Sequence, residues 1–421
     1  MSRWVKTGVL FLSFFVLSYV ALGYVLGKTN TDDPYRALTV YTEVLHRIQQ
    51  DYVEEPNLAL VTSGALHGLL ESLDPRSAYL SPREYAEYKK HVDAGTKGGI
   101  GAVLSKRFGY IVVVSVLPDG PAHKAGIRGG DILEAIAGFT TREMSVAQAE
   151  ILLAGEPGTP VKVSVVSRRV TVGTQADELD IIRREASYPA VTADRLEGEI
   201  AYLHVPALNA GKANEIRQKL VQFDHQGLRK LVLDLRECAA GDVNEAINVA
   251  RLFVASGTLA TLRGQTVSDR KFAAEPEKVA WKHAVSVLIS NGTSGAAEVL
   301  AVALADNPRP SGGKVELVGE RTSGSASEQK LLPLDDGAAL ILTVAHYYRG
   351  SGKSIVEEGV APTVDVVLLP ESADLDEPPG PEPATDAALK KAIEVLNDPS
   401  AAAPKKGQAR LTTSKLSDLA A

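Results

Sequence analysis

The chain has 421 residues, 45% of them hydrophobic and 23% charged, which is room for about three domains with cores of ordinary size and not the composition of a disordered chain. A formal net charge of −7 with no lysine or arginine cluster argues against nucleic acid as a partner. Cys238 is the only cysteine, which excludes an intrachain disulfide and a cysteine-rich metal site, and the eight histidines lack the i, i+4 spacing of a helical metal site, so neither metal nor cofactor is implied.

Between Lys6 and Lys28 lie 21 uncharged, largely apolar residues, long enough at about 1.5 Å per residue to span a hydrocarbon core of about 30 Å. Arg3 and Lys6 precede this run, so the positive-inside rule leaves the amino end in the cytoplasm and exports the rest. Residues 1–28 are therefore expected to be a membrane anchor, single-pass at the cytoplasmic membrane, with the bulk of the chain on the periplasmic or extracytoplasmic side. A signal peptide cleaved near Ala21-Leu22-Gly23 is the competing reading.

Residues 34–95 carry a helical pattern. Tyr41, Val44, Leu45, Ile48 and Tyr52 recur at three- and four-residue spacings, Ala59 to Leu73 continues the theme, and Asp74-Pro75 ends it. An ordinary helix-loop-helix is the plainest reading of this region.

Residues 96–170 begin with Gly99-Ile100-Gly101-Ala102, where glycines let successive N–H groups converge on an anion. Ile111 to Val116 is a β-branched strand run, and Gly120-Pro121-Ala122-His123-Lys124-Ala125-Gly126-Ile127-Arg128-Gly129-Gly130-Asp131-Ile132-Leu133 reads as a short helix, a glycine turn and a strand. Ser145 to Ala154 is expected to be a second helix, with Ala149, Leu152 and Leu153 on its groove or core side. This ordered series resembles a PDZ domain, which implies that Gly99, Ile100, Gly101 and Ala102 form the loop receiving a peptide's terminal carboxylate.

Residues 171–370 alternate strand and helix patterns, predicting an α/β core. Glu199 to Val205 reads as a strand, Ala213 to Phe223 as a helix, and the continuous apolar run Leu231-Val232-Leu233-Asp234-Leu235-Arg236 as a buried parallel strand. Leu332 to Leu340 is strand, turn and strand, running into Leu342 to Ile355. Residues 371–421 are an acidic, proline-rich linker, a short helix with Leu389, Ile393 and Leu396 on one side, and an Ala/Lys/Ser-rich tail expected to be disordered.

Two segments of the core carry the chemistry: Ser294-Gly295-Ala296-Ala297-Glu298, and Gly319-Glu320-Arg321-Thr322-Ser323-Gly324-Ser325. With the PDZ series, they make the chain resemble the C-terminal processing peptidases, also called tail-specific serine proteases. The implied fold is an α/β tail-specific-protease core of ClpP/crotonase-like type, preceded by an N-terminal transmembrane helix, a helical segment and a PDZ domain. The family's nucleophile lies in Ser-Ala-Ser-Ala-Ser-Glu and its lysine base in Gly-Glu-x-Thr-x-Gly-Lys-Gly. Aligned on Glu298, the nucleophile's position holds Gly295; aligned on Gly319-Glu320, the lysine's position holds Ser325. No lysine occurs from Val315 to Gln329, so no small shift recovers one.

Further parallels concern the surrounding loops. Gln329 stands where the family keeps a glutamine four residues after its lysine. The family's Leu-Asp-Leu-Arg-Asn-Asn-Pro-Gly-Gly, whose loop donates amides to the oxyanion, is here Leu233-Asp234-Leu235-Arg236-Glu237-Cys238-Ala239-Ala240-Gly241. That makes Ala240 and Gly241 the oxyanion-loop candidates and sets a carboxylate, Glu237, beside them against the electrostatics an oxyanion needs. Leu73-Asp74-Pro75-Arg76-Ser77-Ala78-Tyr79-Leu80 resembles the segment that precedes the family's PDZ domain.

A hydroxyl needs an adjacent base to become a nucleophile near neutral pH, and glycine offers no hydroxyl. The expected function is an envelope-exposed pseudopeptidase that binds C-terminal peptides of unfolded or tagged envelope proteins, or pairs with an active peptidase relative. The alternative is an active serine endopeptidase using Ser294 as a displaced nucleophile, and a third reading is a structural adaptor with a closed PDZ groove.

Overall fold

The computed structural model describes residues 4, 14–19, 34–93, 98–142, 144–167, 176–308, 314–356, 358–366 and 386–402. Most of the apolar stretch 8–27, the acidic linker and the tail after residue 402 lie outside the described residues. Among those described, no helix is long and apolar enough to cross a membrane. The chain divides into two compact units, residues 1–66 and 67–421.

In the first unit, α1 (Pro34–Asp51) is amphipathic, with Tyr41, Leu45 and Ile48 half-buried and Val44 and Tyr52 exposed. Asn57 starts α2 (Leu58–Glu71), its side-chain oxygen accepting from Leu60 N at 3.1 Å.

Past α2, whose last residues already belong to the second unit, comes a tight turn. The Asp74 carboxylate accepts from the amides of Arg76 and Ser77, both at 2.8 Å, and from Ser77 Oγ at 2.7 Å. The next three residues form a strand, β1 (Ala78–Leu80), paired antiparallel with Ala339–Ile341 near the far end of the chain. The helix-loop-helix expectation misses this strand because three residues are too few to show a period. α3 (Pro82–Asp93) follows.

The PDZ segment is built from β2 (Gly98–Gly99), β3 (Ala102–Arg107), β4 (Tyr110–Val116), α4 (Pro121–Lys124), β5 (Ile132–Ile136), β6 (Phe139–Thr140), α5 (Val146–Leu153), β7 (Pro160–Val166) and β8 (Asp177–Ile182). Its sheet runs β3-β4-β5-β7-β8, with β6 beside β5 and β3 at one edge. Alternate apolar residues fill the core, Ile111 and Val113 from β4 and Val161 and Val163 from β7, closed by Ala149 and Leu153 of α5. Ser145 and Gln148 form a reciprocal capping box at the start of α5.

After β9 (Arg184–Glu185), which pairs with β2, the chain enters the α/β core. Its elements are β10 (Thr192–Leu196), β11 (Ile200–His204), β12 (Ala207–Leu208), α6 (Lys212–His225), β13 (Lys230–Asp234), β14 (Ala240–Gly241), α7 (Val243–Arg251), β15 (Thr258–Arg263), β16 (Arg270–Ala273), β17 (Ala284–Ile289), α8 (Ala296–Asp306), β18 (Glu316–Gly319), β19 (Ser327–Pro333), β20 (Ala339–Tyr348), β21 (Val364–Asp365) and α9 (Ala387–Asn397). The main sheet has the order β10-β11-β13-β17-β18-β21, parallel from β11 to β21. Its strands are apolar on both faces because both are covered. Leu231 and Leu233 turn toward α6, α7 and α8, while Val232 turns toward α9 with Tyr202, Leu288 and Val318. A second sheet joins β1, β20, β15 and β16, with β19 on β20. Ala147 of α5 packs with Ala78, Leu80 and Ala339, so the PDZ segment rests on this second sheet.

Candidate active site

At the end of β17 the chain makes a turn held by its own hydroxyls. Ser290 N donates to Thr293 Oγ1 at 3.0 Å, Thr293 Oγ1 donates to Leu235 O at 2.8 Å, and Ser294 N donates to Cys238 O at 3.1 Å. The turn is thereby fastened to the loop after β13. Gly295 then enters α8 with φ +56° and ψ −111°, a conformation that L side chains rarely adopt. A Cβ built there meets no atom within 4 Å. The structure thus offers space at position 295, into which glycine puts no side chain.

Glu298, one turn into α8, is fully buried and joins the two motif segments. Its carboxylate accepts from Gly295 N at 2.9 Å, Gly324 N at 2.7 Å and Ser325 N at 2.7 Å, and from the Thr322 hydroxyl. Burial pushes its pKa up, while the hydrogen bonds from Thr322, Ser325, Gly324 and Gly295 pull it back. Thr322 Oγ1 also receives Val360 N at 2.8 Å, tying in the segment before β21.

Beside this carboxylate lies a row of hydroxyls. Ser323 Oγ is 2.7 Å from Ser294 Oγ, 3.2 Å from Ser325 Oγ and 3.5 Å from Glu298 Oε2. Among the described residues, neither a lysine nor a histidine hydrogen-bonds to any of the three serines. Ser294 is only 3% exposed, so the displaced-nucleophile alternative has a buried hydroxyl with another hydroxyl as partner. Lys330 is exposed, and Lys353 pairs with Glu358 at 3.2 Å on the surface.

Gln329 faces a different element from the three serines. Its Nε2 donates to Arg76 O at 2.8 Å, and Arg76 Nη2 lies 3.5 Å from its Oε1. The neighbouring strand adds Thr343, whose amide donates to Ser77 Oγ at 3.1 Å. Gln329 therefore braces the turn before β1.

Ala240 and Gly241 form β14, a short parallel ladder with Ala207 and Leu208. Gly241 has φ +142°, and a Cβ there would lie 2.6 Å from Leu208 C, which is why glycine persists at this point. Asp242 next accepts from Asn244 N at 2.8 Å and caps α7. The left-handed residue earlier in the loop is not an alanine but Glu237, at φ +58°. Burial pushes its carboxyl up to about 7, with Asp234 and Glu320 adding to the rise and the Ser290 hydroxyl and Arg236 opposing it. Burial thus holds the Glu237 carboxyl well above the usual carboxylate range, which weakens the negative charge expected there.

In the PDZ segment, Gly99 and Gly101 line a cavity of about 460 Å³, together with Leu117, Pro121 and Arg184. Gly101 has φ +74°. Ile100 points the other way, 2% exposed in the PDZ core, and Ala102 begins the edge strand β3. Of the helix residues, Ala149 and Leu153 are core and Leu152 packs against it half-buried.

These features define an α/β peptidase scaffold bearing a PDZ domain. Residues 199–366 match the model of peptidase family S41, and residues 112–167 match that of the PDZ domain. The chain is 30% identical over 366 residues to the carboxy-terminal-processing protease of Bartonella bacilliformis, covering 85% of this chain and 82% of that protein. It is 28% identical over 346 residues to the carboxy-terminal processing protease CtpA of Bacillus subtilis, covering 82% and 72%. Among solved structures, a photosystem II D1 C-terminal processing protease is 25% identical with a TM-score of 0.64, covering 86% of this chain and 98% of that one. The chain belongs to the carboxy-terminal processing protease family.

Sequence reasoning used Glu298 only as an alignment anchor and missed it as the junction of two loops. It also missed Ser323 as the bridging hydroxyl and Thr322 as the link to Val360. The density of hydroxyls in Arg321-Thr322-Ser323-Gly324-Ser325 is the signal that could have found them.

Proposed function

We propose that this chain is a non-cleaving member of its family that captures protein C-termini through the PDZ domain. The observation that carries this reading is the motif turn itself, a glycine at 295 beside three serines whose hydroxyls, among the described residues, hydrogen-bond to one another and to Glu298 and to no lysine or histidine. Covalent catalysis requires a hydroxyl and a base acting as a unit, and this turn supplies a buried hydroxyl without an amine. The cavity at Gly99 and Gly101 supports the capture half, since it leaves room at the loop where the PDZ resemblance puts a terminal carboxylate. The apolar run 8–27 supports placing the folded part outside the cytoplasmic membrane.

The test is a cleavage assay on casein and on peptides with apolar tails, run beside Gly295→Ser, Ser325→Lys and the double variant. The expected result is no cleavage above background for the unmodified chain and for either single variant, with weak activity in the double variant. Robust cleavage by the unmodified chain, abolished by Ser294→Ala, overturns the reading. The capture half has its own measurement. Amidating a bound peptide's C-terminus should weaken it roughly ten- to hundredfold, the loss of a charge-assisted bond of about 1.5–3 kcal/mol, and equal binding of acid and amide removes it.

A further inference from the structure

Glu237 combines features that the family resemblance does not account for. It is held in a left-handed backbone conformation, φ +58°, which a residue with a Cβ rarely adopts. From the loop after β13 its carboxyl reaches into the seam between the PDZ segment and the core. A Cβ built on Gly129, in the PDZ turn before β5, would lie 2.9 Å from Glu237 Oε2. A Cβ built on Gly292, in the turn before α8, would lie 2.4 Å from Oε1. Both walls are glycine, and the carboxyl fills the room that their missing side chains leave.

The seam gives that carboxyl little compensation for a charge. Its side-chain donor is Ser290 Oγ, at a long 3.4 Å. From β13 and the loop after it, Arg236 is attractive but already bonds Asp234 at 2.6 Å and Asp386 at 2.8 Å, and Asp234 is repulsive. From the loop after β18, Glu320 faces it with the same sign. On the PDZ side the charged residues nearest Gly129 in sequence are Arg128 and Asp131, and Asp131 Oδ2 accepts from Arg128 N at 2.9 Å.

We propose that Glu237 is a proton-operated latch, its neutral carboxyl seating the PDZ domain on the core and its ionised form loosening that contact. The sign follows from linkage. In the seated state the group titrates near 7, and once released into water it returns to an ordinary value near 4.5. The seated state therefore binds more protons over that interval, so seating weakens as pH rises from about 4.5 to about 7 and changes little above it. Between pH 5 and pH 8 the opening equilibrium should rise roughly fifty- to a hundredfold. Such a latch would couple access to the core to the acidity outside the membrane, independently of whether the core cleaves.

The experiment places spin labels at Phe139→Cys in the PDZ segment and Val221→Cys on α6, 62% and 42% exposed, in the full-length chain. Cys238, 1% exposed, stays unlabelled. Distance distributions from pH 5 to pH 8.5 should show one short population at low pH and a longer one that grows up to about pH 7 and then levels off. Glu237→Gln should hold the short population throughout, and Glu320→Gln should give a smaller rise because one facing charge is gone. A distribution that ignores pH, or an unchanged rise in Glu237→Gln, overturns the proposal.

Discussion

A single side chain, Glu298, accepts from three half-buried amides and from the buried Thr322 hydroxyl, four donors for which it is the acceptor. Replacing it with alanine strands all four at once, so Glu298→Ala should cost about 3–5 kcal/mol and lower the thermal midpoint by roughly 10 °C or more. Glu298→Gln should cost less, because the amide oxygen still accepts, while its NH₂ group faces donors. Thermal unfolding followed by circular dichroism separates the two; equal midpoints would show that the carboxylate is not the joint between the loops. At Gly295 the expectation is opposite in kind. Nothing within 4 Å opposes a Cβ, so Gly295→Ser should fold normally and lose only the backbone strain, about 1–3 kcal/mol in urea denaturation.

At the scale of one element, α9 shows both what a period reveals and what it conceals. Leu389, Ile393 and Leu396 predict a helix, and a helix forms over Ala387–Asn397. The residues that go deepest are nevertheless Ala388, Leu389, Ala392 and Val395, with Ile393 and Leu396 half-buried. The alanines let the helix lie close on Val232 and Leu288, a rotation that apolar spacing alone does not fix. Asp386 sets the position: its carboxylate accepts from Leu389 N at 2.9 Å and faces Arg236 Nη1 at 2.8 Å. Asp386→Ala removes a helix cap and one side of a buried ion pair, and should cost about 2–4 kcal/mol. Hydrogen exchange should then show protection lost in residues 387–397 well before the main sheet. Uniform loss across both would mean that α9 does not dock as a separable piece.

Across the whole molecule, the PDZ segment and the peptidase core that follows it were legible in the sequence, but their attachment was not. The PDZ strands and the strands of the main sheet declare themselves by period and by apolar runs. The strand Ala78–Leu80, which carries the chain back to β20 more than 250 residues later in sequence, has no local signature. The same holds for the candidate site. Gly295 and Ser325 were readable as departures from a motif, whereas the Glu298 junction and the Glu237 seam exist only once distant loops meet. Ala147 is the smallest point of the PDZ attachment, 7% exposed against Ala78, Leu80 and Ala339. Ala147→Leu overpacks this contact, costing about 1–3 kcal/mol. It should divide one calorimetric transition into two as the PDZ segment and the core melt separately; a single transition at an unchanged midpoint would place the attachment elsewhere.

The backbone at residue 295 also bears on history. At φ +56° and ψ −111°, glycine rests where serine would be strained, so a serine-to-glycine exchange in this frame is stabilising by itself. Under the non-cleaving reading, a lineage that makes this change gains a margin of stability that further substitutions can consume. Return to a nucleophile then requires losing that margin before an amine at 325 gives anything in exchange. Under the non-cleaving reading, the turn before α8 behaves as a ratchet: easy to enter from an active ancestor, uphill to leave.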